Sequence, residues 1–168
     1  MDRRTILLAA VATATAVPAF GQTGTSPEIG EAEKSHDTKT ATLGGASLQM
    51  ANIALEKAAN EKVKEFAKFE HDEQTTVGEV LKSMDPSLSP PSPPADVAEA
   101  IEKLKKLNGA AFDHEFISAQ IQGHEMLRSI QQDYLKAGKD PQTVNATKLV
   151  VVVIDEHLAL LRDLRRMA

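Results

Sequence analysis

Residues 108–127, NGAAFDHEFISAQIQGHEML, predict the central helix of this protein. The stretch opens with an Asn-Gly pair, which ends one helix and precedes the next, and it continues with apolar residues at helical spacing. At 100° per residue one apolar stripe contains Phe116, Ile117, Leu127, Tyr134 and Leu135. Asp113, Gln120 and His124 fall in the same stripe. Because buried polar groups need hydrogen-bonding partners, the other helices must supply them.

The remaining sequence predicts more helices and no strands, so the fold class is all-α. The segment 85–94 contains most of the prolines and cannot continue a helix, so it predicts an extended connector. The sequence predicts four long helices and one short helix, which follows the connector and is capped by Asp96. This set indicates a four-helix bundle with an extra helix. The predicted helices span residues 37–59, 61–84, 96–108, 110–137 and 141–168.

The amino-acid composition argues against several classes of function. The 168-residue chain has a net charge of −5, which argues against a nucleic-acid partner because phosphate binding needs a basic surface. The absence of cysteine excludes disulfides and thiolate metal sites. No Ser nucleophile elbow, phosphate-binding glycine loop or Cys nucleophile is present, so an enzymatic role is not favoured.

The first 21 residues predict an export signal. A short basic start, an apolar run over residues 6–17 and small residues up to Gly21 are typical of a cleaved signal peptide, and Arg3-Arg4 resembles a twin-arginine signal. Cleavage near Gly21 would release the protein into the periplasm, and no other run is long enough to span a membrane. Residues 22–36 predict a flexible leader with an exposed His36, and residues 37–168 form the bundle domain.

Several segments together resemble an exported bacterial family, the domain of unknown function 4142. They are LEKA at 55–58, VKEFA at 63–67, LNGAAFD at 107–113, Gly123-His124, and EHL at 156–158. The resemblance covers residues 40–165 and implies a ferritin-like bundle without an established activity. The family usually has an acidic residue in the first helix and Asp-His-Thr in the second. Here Ser47 or Gln49 and Glu73-Gln74-Thr75 stand at those positions, whereas Asp113, His124 and His157 match.

Two interpretations of the buried polar residues stay open. In the favoured one, Gln74, Asp113, Gln120, His124 and His157 form a hydrogen-bond network that fixes helix register in a non-catalytic binding or envelope-stress protein. In the alternative, His124, His157 and Glu70 hold a single divalent metal ion. His71 lies one turn from Gln74, and the sequence does not decide whether it points inward. Candidate partners are a second copy of the chain or another envelope protein.

Overall fold

The computed structural model describes residues 30–167, which form five helices and no strand. The helices are α1 (Glu31–Lys57), α2 (Glu61–Met84), α3 (Ala95–Lys106), α4 (Gly109–Ala137) and α5 (Pro141–Met167). The predicted all-α class is therefore confirmed for this part of the chain. The predicted signal peptide and the first part of the predicted leader lie outside the described residues. Between residues 30 and 167 no helix is both long and apolar enough to cross a membrane.

The four long helices pack as two hairpins, α1–α2 and α4–α5, each joined by a three-residue connection. Helix α1 packs against α2 and α4, and α4 packs against α5. Helix α3 lies against α1 and α4 after the proline-rich connector. The fourth side of the bundle, between α2 and α5, is the most loosely packed of the four sides, because these two backbones come close at very few positions.

The core fills the space between these helices with aliphatic and phenylalanine side chains. Phe112 and Phe116 of α4 stack with their ring centroids 6.1 Å apart, and Phe66 of α2 meets Phe116 edge-on. Helix α3 contributes Leu104, which is completely buried. In α5, Leu149 and Leu160 are 72 % and 44 % exposed, and the buried face of this helix carries Ile154, His157 and Leu161.

Helix α1 begins at Glu31, well before the predicted start at Asp37, so the prediction of a flexible leader is wrong for residues 31–36. The predicted exposure of His36 is also wrong. Its ring is 6 % exposed, stacks on Tyr134 with centroids 4.2 Å apart, and lies within hydrogen-bond distance of Asp37 Oδ1 and Gln131 Oε1. These polar contacts with α4 stabilise a turn of helix that has no apolar periodicity.

One local prediction also needs correction. Asp96 does not cap α3: Pro94 occupies the cap position, and the Asp96 carboxylate accepts a hydrogen bond from Gln122 Nε2 at 3.3 Å. At the start of α2 the cap is Asn60, whose side chain accepts a hydrogen bond from the backbone N–H of Lys62. Helix α1 continues through the glycine pair Gly44 and Gly45.

Candidate metal centre

Glu70 is a completely buried carboxylate in the middle of α2. It lies on the same helix face as Phe66 and Ala67, so α2 cannot turn it to solvent without exposing its own apolar side chains. A carboxylate in such a position needs partners that compensate for its lost hydration. Those partners come from three other helices.

Two histidines of the α4–α5 hairpin meet Glu70 at a single point. His124 Nε2 lies 3.2 Å from Glu70 Oε2, His157 Nδ1 lies 3.0 Å from the same oxygen, and the two nitrogens lie 3.2 Å apart. Both rings are buried, with His124 1 % and His157 7 % exposed. Each histidine therefore directs one nitrogen, and Glu70 directs one oxygen, toward a common point.

The outer nitrogen of each ring has its own acceptor. His124 Nδ1 donates to the backbone carbonyl of Gln120 at 2.8 Å, and His157 Nε2 lies 3.2 Å from Glu73 Oε2. When an outer nitrogen carries the proton of a neutral imidazole, the inner nitrogen carries a lone pair. In that tautomer both rings would present lone pairs toward Glu70, which is the arrangement found around metal-bound histidines whose second N–H is held by a carboxylate or carbonyl.

The other oxygen of Glu70 is held by α1. The Ser47 hydroxyl lies 2.6 Å from Glu70 Oε1 and 2.6 Å from Gln120 Oε1, and its single proton can be donated to either of them. The Gln120 amide also donates to the backbone carbonyl of Ser47 at 3.4 Å. Glu70 Oε1 is thus occupied by a hydroxyl contact, whereas Oε2 remains directed at the histidines.

Without a metal ion these three side chains can share protons instead. A histidine with a protonated inner nitrogen donates a hydrogen bond to the Glu70 carboxylate, and each such bond favours the ionised form of Glu70. Burial alone would raise the pKa of the Glu70 carboxyl, but hydrogen bonds from His124 and His157 outweigh it and hold this pKa well below its usual range. Burial likewise opposes a charged His124, yet the hydrogen bond and charge of Glu70 raise its pKa above the ordinary value. Burial raises the pKa of Glu73.

The same three atoms also fit a metal ion. They form a triangle with edges of 3.0–3.2 Å, and all three residues are buried. With metal–ligand bonds of about 2.05 Å, two tetrahedral ligands lie about 3.3 Å apart and two adjacent octahedral ligands about 2.9 Å apart. The observed edges fall between these values. Two imidazoles and one carboxylate are a donor set used for Zn²⁺ and for Fe²⁺, with further coordination positions left open.

The structure brings together Gln120, His124 and His157 of the predicted network, but not Gln74 or Asp113. Asp113 accepts hydrogen bonds from the backbone N–H groups of Ala59 and Asn60, at 3.1 and 2.8 Å, and so holds the α1–α2 connection. Gln74 lies over Gly44 of α1 instead, so including these two residues in the network was wrong.

Glu73 and Ser47 were not identified as site residues from the sequence. Glu73 lies on the flank of the α2 stripe, and only the relative rotation of α2 and α5 brings it to His157. Ser47 stands where the family usually has an acidic residue, and that departure was the one signal that marked the position. His71 remains at the surface, where it contacts Asp72.

Comparison with known proteins places the chain in one family. Residues 19–164 match the model of the family described as Domain of unknown function (DUF4142), and the chain belongs to that family. No curated protein and no solved structure matches the chain. The family carries no described activity, so functional inference rests on the site itself.

Proposed function

We propose that this protein binds one transition-metal ion through Glu70, His124 and His157. The observation that carries the proposal is the convergence of three buried lone-pair donors whose outer atoms are already held by Gln120, Glu73 and Ser47. Such outer partners orient ligands before an ion arrives, which lowers the cost of assembling a site.

The donor set favours a mononuclear site. Ferritin-like di-metal centres use carboxylates from several helices together with Glu-x-x-His pairs, whereas here one carboxylate meets two imidazoles. Glu73 contacts only the outer nitrogen of His157 among these three residues. The ferritin-like character that we propose is therefore limited to the helical architecture and the buried position of the site, and does not include di-iron oxidase chemistry.

The loosely packed side of the bundle offers a route to the site. Glu70 and Glu73 lie on α2 and His157 lies on α5, the two helices that form the loosely packed side. The side chains of His157 and Glu73 are 9 % and 22 % exposed, whereas Glu70 and His124 are almost completely enclosed. An ion entering between α2 and α5 would meet Glu73 and His157 first.

A second interpretation keeps the site as a structural polar network that holds a proton and no metal. It is supported by the hydrogen-bond distances of 3.0–3.2 Å, which suit a proton shared among the three side chains as well as they suit ligands of one ion. In that case the protein is a non-catalytic bundle whose partner is a second copy or an envelope protein. The N-terminal sequence supports export to the periplasm under either interpretation.

The deciding experiment is a metal titration of protein purified without a polyhistidine tag and stripped with chelator. We expect Zn²⁺ and Co²⁺ to bind with a stoichiometry of one, and the visible spectrum of bound Co²⁺ to report its coordination number. At a free metal concentration one hundred times the Kd, bound metal should stabilise the fold by about 2.7 kcal/mol.

The variants His124→Gln and His157→Gln should each lose stoichiometric binding. His71→Gln serves as the matched control, since His71 lies on α2 one residue from Glu70 but points to the surface. Absence of stoichiometric metal, or equal binding by all three variants and the wild type, would overturn the proposal in favour of the polar network. Periplasmic location is tested separately by fractionation of cells that express the full-length chain.

A further inference from the structure

Helices α1 and α2 enclose a second concave site, away from the metal ligands, between their outer faces and the proline-rich connector. This groove has a volume of about 350 Å³. Its apolar walls are formed by Leu48, Val77, Leu81, Leu88 and Pro90. A volume near 300 Å³ is at the lower end of the range for small-molecule sites, so a compact ligand would fit.

One buried amide faces this groove without a partner. Gln74 is only 8 % exposed, lines the groove, and forms no side-chain hydrogen bond with any residue between 30 and 167. In the same part of the chain every fully enclosed side-chain polar atom has a partner. Because the amide atoms of Gln74 have no such partner, they are not fully enclosed but reach the open groove, where solvent or a ligand can form hydrogen bonds with them.

Gly44 fixes the orientation of this amide. A Cβ atom on Gly44 would lie 2.5 Å from Gln74 Oε1, so the amide oxygen rests directly on the α1 backbone and the NH₂ group is left for a ligand. At the neighbouring Gly45 a Cβ would meet nothing within 4 Å. The two adjacent glycines thus differ in one respect: only Gly44 must lack a side chain for Gln74 to take its position.

The rim of the groove has no preference for charge. Lys82 and Glu79 both line it and both are exposed, so their opposite charges offset each other. With apolar walls, a neutral rim and one buried amide, the groove matches an uncharged ligand. We propose that it binds a small, mostly apolar molecule that carries one carbonyl or carboxamide group, which pairs with Gln74. This site is separate from the proposed metal function.

The test uses benzamide, whose carbonyl oxygen can accept a hydrogen bond from the Gln74 NH₂ group, and toluene, which has a similar ring without the amide. We expect benzamide to shift the NMR signals of groove residues and to bind at least tenfold more tightly than toluene. A tenfold ratio is the size expected of one good hydrogen bond. Shifts confined to other surfaces, or no shifts up to the solubility limit, would overturn the proposal.

Three variants make the test specific. Gln74→Met should bind benzamide about tenfold more weakly, since it removes the hydrogen-bonding amide but keeps an apolar side chain of similar length. Gly44→Ala should also weaken benzamide binding because its methyl group displaces Gln74, whereas Gly45→Ala should leave the affinity unchanged. Equal benzamide affinity in Gln74→Met and wild type would show that the amide has no part in binding and would overturn the proposal.

Discussion

Glu73 Oε2 lies 3.2 Å from His157 Nε2, on the opposite edge of the ring from the nitrogen that faces Glu70. Glu70 and Glu73 are three positions apart on one helix, so a single turn of α2 contacts both nitrogens of His157. This relationship assigns different tasks to the two carboxylates. Glu70 shares the site with the histidines, whereas Glu73 fixes the ring orientation and its tautomer.

Replacement of Glu73 should therefore weaken metal binding without abolishing it. We expect Glu73→Ala to lower Zn²⁺ affinity by about 10–100-fold, the usual effect of removing an outer partner of a ligating histidine. Glu73→Gln, which keeps an acceptor but not the charge, should lie between this variant and wild type. Competition with a chromophoric chelator measures the affinities. Glu79→Ala, an exposed change on the same helix, is the control, and an equal loss there would contradict the assigned role.

Asp113 should affect stability but not the metal site. Its two oxygens accept backbone hydrogen bonds from Ala59 and Asn60, and Asn offers only one acceptor oxygen. We expect Asp113→Asn to lower the free energy of unfolding by about 1–2 kcal/mol in urea denaturation. Its Zn²⁺ affinity should equal that of wild type. A large loss of metal affinity would mean that the α1–α2 connection controls the position of Glu70.

His36 should be important for stability although it lies outside the hydrophobic core. It stacks on Tyr134, and its two ring nitrogens contact Asp37 and Gln131. We expect His36→Ala to lower the free energy of unfolding by about 2–3 kcal/mol, because it removes a buried aromatic contact and leaves two polar groups without a partner. His114→Ala, an exposed change in α4, should stay within about 0.5 kcal/mol of wild type.

Glu33 makes the attachment of α1 dependent on pH. Backbone hydrogen bonds, with that from Lys139 the strongest, and the Tyr134 hydroxyl lower the pKa of Glu33 to about 2 despite the opposing effect of burial. Because this pKa is depressed, the ionised carboxylate stabilises the fold fully at pH values above 4.5, the ordinary pKa of a glutamate. This contribution is lost as the pH falls toward about 2.

The stability of wild type and Glu33→Gln should therefore differ by about 1 kcal/mol at pH 7, and the difference should shrink between pH 5 and about 2. Denaturant unfolding at a series of pH values measures it. A difference that is constant over this range would show that the hydrogen bonds do not depend on the charge. Burial and the Glu33 charge also raise the pKa of Tyr134 to about 12, so the hydroxyl stays protonated throughout.

The helices that the sequence located well are those with clear boundary residues. Asn60 precedes α2, and Gly138 and Pro141 separate α4 from α5, so their limits follow from local backbone chemistry. The run Val150–Ile154 alone resembles a strand, and its amphipathic continuation was enough to identify it as helix.

The start of α1 could not be found in this way because its buried face is polar. Glu33, His36 and Asp37 are all buried, and the groups that satisfy Glu33 and His36 lie about a hundred residues away in α4 and the connection after it. Hydrophobic periodicity cannot identify a buried face that consists of polar residues. Only the assembled bundle shows that these polar residues have partners.

The candidate site could be predicted only in part, because the sequence does not show which side chains face each other across the bundle. A mid-stripe Glu70 and two core histidines are unusual enough to be noticed in one sequence. Which neighbours join them depends on helix rotation: Gln74 lies one turn beyond Glu70 yet meets Gly44, whereas the flanking Glu73 meets His157. Periodicity assigns a face to each residue, but not the partner opposite that face.

The loose contact between α2 and α5 has a mechanical consequence. Glu70 belongs to one hairpin and both histidines belong to the other, so an ion held by all three would crosslink the two halves of the bundle. The chain has no cysteine, and such a link would act as a reversible counterpart of the disulfide it cannot form. The hairpins would then unfold together when the ion is bound and more independently when it is removed.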